Sequence, residues 1–131
     1  NLDRHVTMAD DGGLQTLHVK NGKPGDLYLF LSYSGIHYDY SKYAATLSER
    51  GIKPCLITAF SDSALAKQCD TVLLIPKSER VIGKVANYSS MISLTYTLQV
   101  IYSLIFNQDY QENYRVKREA DSFIFTSFAE I

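Results

Sequence analysis

The sequence has few of the residues that mark specialised classes of protein, and cysteine is the clearest case. It holds two cysteines in 131 residues, Cys55 and Cys69, with no second pair near them. Zinc sites and disulfide frameworks need more closely grouped cysteines. We therefore expect two reduced, buried thiols, no metal site and no other cofactor.

Net charge is almost absent as well. Thirteen basic residues oppose 14 acidic ones, and the formal net charge is −1. This balance excludes a general electrostatic attraction to nucleic acid or to an anionic membrane surface. The opening stretch, NLDRHVTMADDGG, carries no signal-peptide pattern. Both observations favour a cytoplasmic protein.

One stretch, residues 85–108, contains no charged residue. A bilayer span needs about 20 predominantly apolar residues. This stretch is too polar for a span, because it is interrupted by Asn87, Ser89, Ser90, Ser93, Gln99 and Ser103. Its composition predicts a buried helix instead.

The middle of the chain alternates between two hydrophobic patterns. Continuous apolar runs at 27–31, 54–58 and 71–75 predict strands buried on both faces of a parallel sheet. Helical patterns separate these runs at 39–50, ended by Gly51, and at 61–69, capped by Ser61 or Ser63. This alternation predicts right-handed βαβ units with helices on both faces of the sheet.

The flanking segments predict further elements. Residues 5–8 fit a short strand, and a helix is expected to start near Asp11. Long helices are expected at about 86–106 and 109–123, and the tail SFIFTSFAEI fits either a frayed helix or a strand. The first long helix carries a 3-4 seam suited to packing against another helix or a second subunit, formed by Met91, Leu94, Leu98, Ile101 and Ile105.

The most specific stretch is FLSYSGIHYD, where an apolar run stops at two serines and a glycine. Ligands of open α/β sheets bind beyond the carboxyl ends of the strands. A helix start near Asp39 favours an anion there, Ser32 and Ser34 add hydroxyl donors, and Gly35 permits close backbone approach. Two interpretations remain open from these residues: a phosphate pocket, or serines that only cap the helix.

The segment PGDLYLFLSYSG, followed by AATLSERGIKPCLITAFSDSALAKQCDTVLLIP, resembles the sugar isomerase (SIS) domain. That family has an S-x-S-G-x-T motif at a strand end, and Ser32, Ser34 and Gly35 match it. The resemblance covers residues 24 to about 123, through an RG helix end, an IT strand end, an S-x-L-A helix and a D-x-V-L-x-I-P strand. Later segments, NYSSMISLTYTLQVIYSLIF and KREADSFI, are most similar to the effector-binding domain of RpiR/MurR-type bacterial transcriptional regulators.

The resemblance implies a single domain over residues 1–131, with a three-layer, flavodoxin-like parallel sheet flanked by helices. It implies a homodimer or higher oligomer, DNA contact only through a separate N-terminal helix-turn-helix domain, and no membrane. It also assigns a sugar-phosphate site. The phosphate-binding residues would be Ser32, Tyr33, Ser34, Gly35 and His37, and the sugar-contacting residues would be Asp39, Glu79 and Ser90.

Three positions depart from the family pattern. His37 replaces the motif's threonine. Asp39, where the family often has an acidic residue, is one carbon shorter than glutamate. Ser90-Met91 replaces a frequent serine-arginine pair. The family's first strand and its glycine- and serine-rich loop find no match in residues 1–20. We therefore expect the first βα unit to be absent, leaving a gap in the sheet that the tail SFIFTSF or a second chain fills.

The choice between enzyme and sensor depends on acid–base chemistry. Sugar isomerisation needs a base that moves a proton between neighbouring carbons. Candidates are His37, Asp39, Glu79 and His18, whereas His5 and His18 are more simply surface residues and Glu79 a solvated loop charge. No clear base is paired with a clear acid, which favours an effector-sensing domain that binds without turnover. The alternatives are a sugar-phosphate aldose–ketose isomerase and a structural dimerisation module.

Overall fold

The computed structural model describes residues 5–77 and 88–129. Its elements alternate as the sequence predicts through the middle of the chain. In chain order they are α1 Gly12–Asn21, β1 Tyr28–Leu31, α2 Tyr38–Glu49, β2 Pro54–Thr58, α3 Ala64–Gln68, β3 Thr71–Leu74, α4 Tyr88–Gln108 and α5 Tyr110–Ala129. The strand expected at residues 5–8 is wrong, because these residues adopt no regular secondary structure.

The three strands form a parallel sheet in the order β1-β2-β3. Leu31 of β1 lies beside Ile57 of β2, and Thr58 of β2 lies beside Leu74 of β3. The expected gap would lie between a strand at residues 5–8 and β1. Because residues 5–8 form no strand, the described residues contain no such pair, and the filling of the gap by a second chain stays a prediction. The expectation that the tail supplies a strand is wrong, since α5 continues as a helix to Ala129.

The core lies on the face of the sheet that carries Phe30, Leu56 and Val72, which are neighbours in the strand register. Ala44 and Leu47 of α2 and Leu65 of α3 pack against this face and are completely buried. The opposite face is covered at its centre too, because Ile57 is also inaccessible to solvent. Burial on both faces explains the continuous apolar run of β2. The same expectation is wrong for β3, where Leu73 and Leu74 are exposed among the described residues.

The ends of the helices follow from their capping residues. The Asp11 carboxylate accepts a hydrogen bond from the Leu14 amide at 3.0 Å and starts α1, as predicted. The Ser63 hydroxyl accepts from the Ala66 amide at 3.2 Å and starts α3. Gly51, with φ of +74°, adopts the left-handed conformation that ends α2.

Helix α1 is held to the sheet layer by contacts to its own carbonyl groups. The Tyr28 phenol of β1 donates to the His18 carbonyl. The Arg50 guanidinium, at the end of α2, donates to the Val19 carbonyl at 2.9 Å and to the Lys20 carbonyl. Burial raises the pKa of Tyr28, with a further contribution from the nearby Asp26 carboxylate. These bonds satisfy carbonyls that the last turn of a helix leaves unpaired.

The chain divides into two compact units. One is Met8–Tyr96, and the other contains the remainder of α4, from Thr97, and all of α5. Helix α4 runs through this division. Its predicted seam is only partly covered by the described residues, because Met91 and Leu98 are 52% and 37% exposed whereas Leu94, Ile101 and Ile105 are half-buried. The prediction of a buried helix is therefore wrong within a single chain. The composition of a helix records how apolar it is, not which surface covers it.

Helix α4 is also the one helix of the described residues that is long and apolar enough to cross a membrane. Only 6% of its most apolar 18-residue stretch is buried. Length and composition alone are weak grounds for a span, and the polar residues along α4 argue against one. We therefore still predict that α4 does not span a membrane.

The unit that contains α5 has a charged surface. The Arg115 guanidinium donates to the Glu112 carboxylate at 2.6 Å and to the Glu119 carboxylate at 2.7 Å. The hydrogen bond from Arg115 lowers the pKa of Glu112. Asn113 is completely buried, and its side-chain amide donates to the Phe106 carbonyl at 2.9 Å. This bond joins the end of α4 to the first turns of α5.

Candidate functional site

The carboxyl ends of all three strands open onto one edge of the sheet, called here the carboxyl edge. Three segments follow the strands there: residues 32–37 after β1, residues 59–63 after β2 and residues 75–77 after β3. In open parallel α/β sheets this edge is where ligands bind. The candidate site is therefore built from these three segments and the first turn of α2.

Backbone hydrogen bonds connect the first segment to β2 and to the start of the second segment. The Ser32 amide donates to the Ile57 carbonyl at 3.1 Å, and the Ala59 amide donates to the Tyr33 carbonyl at 3.0 Å. The buried Thr58 hydroxyl donates to the same Tyr33 carbonyl at 3.0 Å. The first segment thus continues the strand pairing for two residues beyond β1, and its position is fixed by β2.

Tyr33 points into the protein rather than toward a ligand. Its side chain is buried, and its ring meets the Phe60 ring edge-on with centroids 5.8 Å apart. Tyr33 was predicted to bind phosphate. In the structure its side chain packs in the core, and its carbonyl accepts hydrogen bonds from Ala59 and Thr58.

Gly35 is the closest point between the first segment and α3. Its φ is +66°, and a Cβ atom built on it would lie 2.1 Å from Ser63 Oγ and 2.6 Å from Ser63 Cβ. Its amide donates to the Ser32 hydroxyl oxygen at 3.2 Å, and its carbonyl accepts from the Leu65 amide at 3.2 Å. Both backbone conformation and space therefore require glycine here.

Neither serine of the motif caps α2. The N-cap is His37, whose carbonyl accepts from the Ser41 amide at 3.2 Å and whose side chain makes no capping bond. Ser32 and Ser34 are half-buried on the first segment. A serine hydroxyl combines one donor with acceptor capacity, so Ser32 keeps its hydroxyl hydrogen for another partner while it accepts from Gly35. The interpretation in which the serines only cap the helix is not realised.

His37 and Asp39 lie at the start of α2. The imidazole of His37 is exposed and stacks on the Tyr40 ring, with centroids 4.2 Å apart. Asp39 is exposed in the first turn. Amides at the start of a helix favour an anion, and His37 borders that position, whereas the Asp39 carboxylate opposes an anion there.

The remaining sequence-predicted residues are placed less directly. Ser90 is buried in the first turn of α4. Glu79 lies outside the described residues. His18 is in α1 and His5 is exposed before it. Of the predicted set, the structure brings Ser32, Tyr33, Ser34, Gly35, His37 and Asp39 together on one segment and the helix that follows it.

Sequence reasoning missed two contributors to this edge. Thr58 was counted only as a strand residue, yet its hydroxyl orders the first segment and accepts from the Phe60 amide at 3.3 Å. Lys77 follows β3, and its ammonium lies 4.9 Å from the centre of the Phe60 ring. The position of Thr58 at a strand end could have indicated its role from the sequence. The role of Lys77 could not be predicted, because it depends on a contact between two loops.

Comparison with known proteins agrees with this architecture. The sequence model of the SIS domain matches residues 2–105. Because the match spans most of the chain, the chain belongs to the SIS-domain family.

Particular relatives are bacterial regulators. An uncharacterized HTH-type transcriptional regulator of Caldanaerobacter subterraneus is 28% identical over 106 residues, which are 81% of this chain and 37% of the relative. The chain therefore spans little more than a third of the curated relative it matches.

Two solved structures share the fold. The Vibrio vulnificus NanR protein complexed with ManNAc-6P superposes with a TM-score of 0.76 at 19% identity, covering 90% of this chain and 44% of NanR. The sugar isomerase domain of the RpiR transcription factor from Sphaerobacter thermophilus superposes with a TM-score of 0.69 at 23% identity, covering 88% of this chain and 62% of that one.

Proposed function

We propose that this chain is a sugar-phosphate-binding, effector-sensing domain of a cytoplasmic bacterial transcriptional regulator. The observation that carries the proposal is the S-x-S-G segment, which is fixed at the carboxyl edge without either serine being used as a helix cap. Membership of the SIS family and similarity to an HTH-type regulator support it. DNA contact would come from a separate helix-turn-helix domain.

The phosphate is expected to lie over the first segment, against the start of α2. Ser32 and Ser34 would donate hydroxyl hydrogen bonds, and the amides of the first turn of α2 would add the partial positive charge of a helix start. His37 would donate from its imidazole, and Asp39, Ser90 and Glu79 would serve the sugar hydroxyls. Tyr33 and Gly35 would hold the segment in shape, by core packing and by close approach to Ser63.

The same arrangement supports binding without turnover. A sugar isomerase needs a base aimed at adjacent carbons of the substrate. The titratable side chains proposed as bases that the structure places at the start of α2 are His37, which stacks on Tyr40, and Asp39, which is exposed to solvent. Neither is held by a second titratable group in the contacts described above, as a pre-organised acid–base pair would be.

The proposal includes a homodimer formed through α4. The apolar side chains of α4 are exposed along its length, among them Met91, Ile92, Leu98 and Leu104. Large apolar surfaces of this kind mark interfaces more often than free surface. A second copy presenting the same helix would cover the 3-4 seam by helix packing.

The test is a thermal-shift and calorimetric titration with a panel of sugar phosphates that includes ManNAc-6P, with the unphosphorylated sugars beside them. Ser34→Ala should weaken the phosphate-dependent binding about tenfold or more, because hydrogen bonds to charged groups contribute about 1.5–3 kcal/mol. Ser48→Ala, an exposed serine at the far end of α2, is the matched control and should bind as the wild type does.

Three results would count against the proposal. Conversion of a sugar phosphate to its isomer in the same tube would support an isomerase. Absence of any shift with every phosphate would support a structural module. Equal affinity of the Ser34→Ala protein and the wild type would place the ligand elsewhere.

A further inference from the structure

The segments that form the carboxyl edge and the helix that follows the motif carry two carboxylates. Asp62 lies in the segment after β2, and Asp39 lies in the first turn of α2. A phosphate ester at this edge is opposed by both charges, and serine hydroxyls and helix amides supply only partial positive charge. A full cation would offset this repulsion.

One lysine occurs in the three segments that form the carboxyl edge, and it is Lys77. It follows β3 by three residues, is exposed, and holds its ammonium 4.9 Å from the centre of the Phe60 ring. Phe60 in turn contacts the Tyr33 ring edge-on at 5.8 Å, and Tyr33 stands between Ser32 and Ser34. The contact between loops therefore holds Lys77 over the segment that follows β2, which is the neighbour of the motif segment.

The contact with Phe60 leaves the ammonium available. An exposed cation–π contact is weak compared with a hydrogen bond between an ammonium and a phosphate. Lysine carries its charge on a flexible four-carbon stem with three rotatable donors. Only β2 separates β3 from β1, so the two loops start about 10 Å apart, which is two strand spacings.

We propose that Lys77 is the cation of the phosphate site, resting on the Phe60 ring in the empty protein and turning to the phosphate when a phosphate ester binds. The inference rests on the proposed function and adds a residue from the third segment to the site. It also assigns Phe60 a role, since the ring holds the ammonium at the carboxyl edge before the ligand arrives.

The experiment compares Lys77→Gln with Lys53→Gln. Lys53 is also exposed but precedes β2, so it lies at the opposite, amino edge of the sheet. Both variants remove one positive charge from the surface, and both should fold. The probes are inorganic phosphate, ManNAc-6P and unphosphorylated ManNAc, with affinities measured by calorimetry at low and at moderate salt.

Lys77→Gln should weaken phosphate and ManNAc-6P binding about tenfold to a hundredfold, Lys77→Arg should retain part of the affinity, and Lys53→Gln should leave it unchanged. Equal losses in Lys77→Gln and Lys53→Gln would overturn the inference in favour of a general charge effect. Unchanged affinity in Lys77→Gln together with a loss in Ser34→Ala would overturn it while leaving the proposed function intact. If the wild type bound neither phosphate probe, both would fall.

Discussion

Replacing Gly35 with alanine tests whether the motif segment is as tightly packed as the structure describes. The new Cβ would lie 2.1 Å from Ser63 Oγ and 2.6 Å from Ser63 Cβ, well inside van der Waals contact. Ser63 cannot move freely to relieve this, because its hydroxyl caps α3 through the Ala66 amide. The backbone at Gly35 is also left-handed, with φ of +66°.

The expected loss of stability combines three contributions. A non-glycine residue in the left-handed region costs roughly 1–2 kcal/mol. Overpacking at a site that cannot relax costs typically about 1–3 kcal/mol. Alanine restricts the unfolded chain and returns about 0.4–1 kcal/mol. The free energy of unfolding should therefore fall by about 1–5 kcal/mol, a large share of the roughly 5–15 kcal/mol typical of native proteins.

Gly51→Ala is the matched control. Gly51 has a similar φ of +74°, but a Cβ there would meet no atom within 4 Å. This variant should show the backbone cost alone, about 1 kcal/mol or less after the unfolded-state contribution. The difference between the two variants then measures the contact between the first segment and α3.

The assay is urea denaturation followed by circular dichroism, with the slope of the transition checked for constancy. A double variant, Gly35→Ala with Ser63→Gly, should recover part of the loss, although it also removes the cap of α3. The reasoning is refuted if Gly35→Ala loses no more stability than Gly51→Ala, or if the double variant is less stable than the two single losses added together.

Two further predictions concern the rest of the chain. Ile101→Glu should convert a homodimer to a folded monomer in sedimentation experiments, because it places a charge in the seam of α4; an unaltered oligomeric state would exclude this seam as the interface. Burial, with smaller contributions from Cys55 and Asp70, raises the pKa of the Cys69 thiol to about 11. In a Cys55→Ser protein, which keeps the burial of Cys69 but loses the contribution of Cys55, Cys69 should at pH 8 react with a disulfide reagent about tenfold to a hundredfold more slowly when native than in urea, because only the thiolate reacts; equal rates would contradict the raised pKa.

The sequence was most informative where local chemistry decides structure. The runs at 54–58 and 71–75 form β2 and β3. Asp11 begins α1 and Gly51 ends α2, as their residue types predict. It was least informative where a distant surface decides. The partly exposed seam of α4 and the exposed strand β3 depend on which segments cover them, and periodicity within one segment does not contain that information.

The motif shows the same distinction at the scale of four residues. Sequence chemistry could not separate phosphate binding from helix capping, because serine serves both. The structure excludes capping of α2 by either serine, and successive residues of the segment are used differently. Tyr33 turns inward against Phe60, and Gly35 is pressed against Ser63, so the two non-serine positions are used by packing. Ser32 and Ser34, between and beside them, stay half-buried while His37 takes the capping position.

A segment that only started a helix would not need to use Tyr33 and Gly35 for packing and leave both serines half-buried. Capping α2 requires one acceptor at the N-cap, and the chain leaves that position to His37, whose side chain makes no capping bond. Meanwhile Thr58, Ser63 and the backbone of β2 hold the segment in a fixed shape. Fixing the shape of a hydroxyl-bearing loop costs conformational entropy, and rigid placement lowers the entropy that a ligand must later overcome. That exchange favours a binding loop, so loss of ligand affinity in Ser34→Ala should come with little loss of stability, whereas Gly35→Ala should lose both.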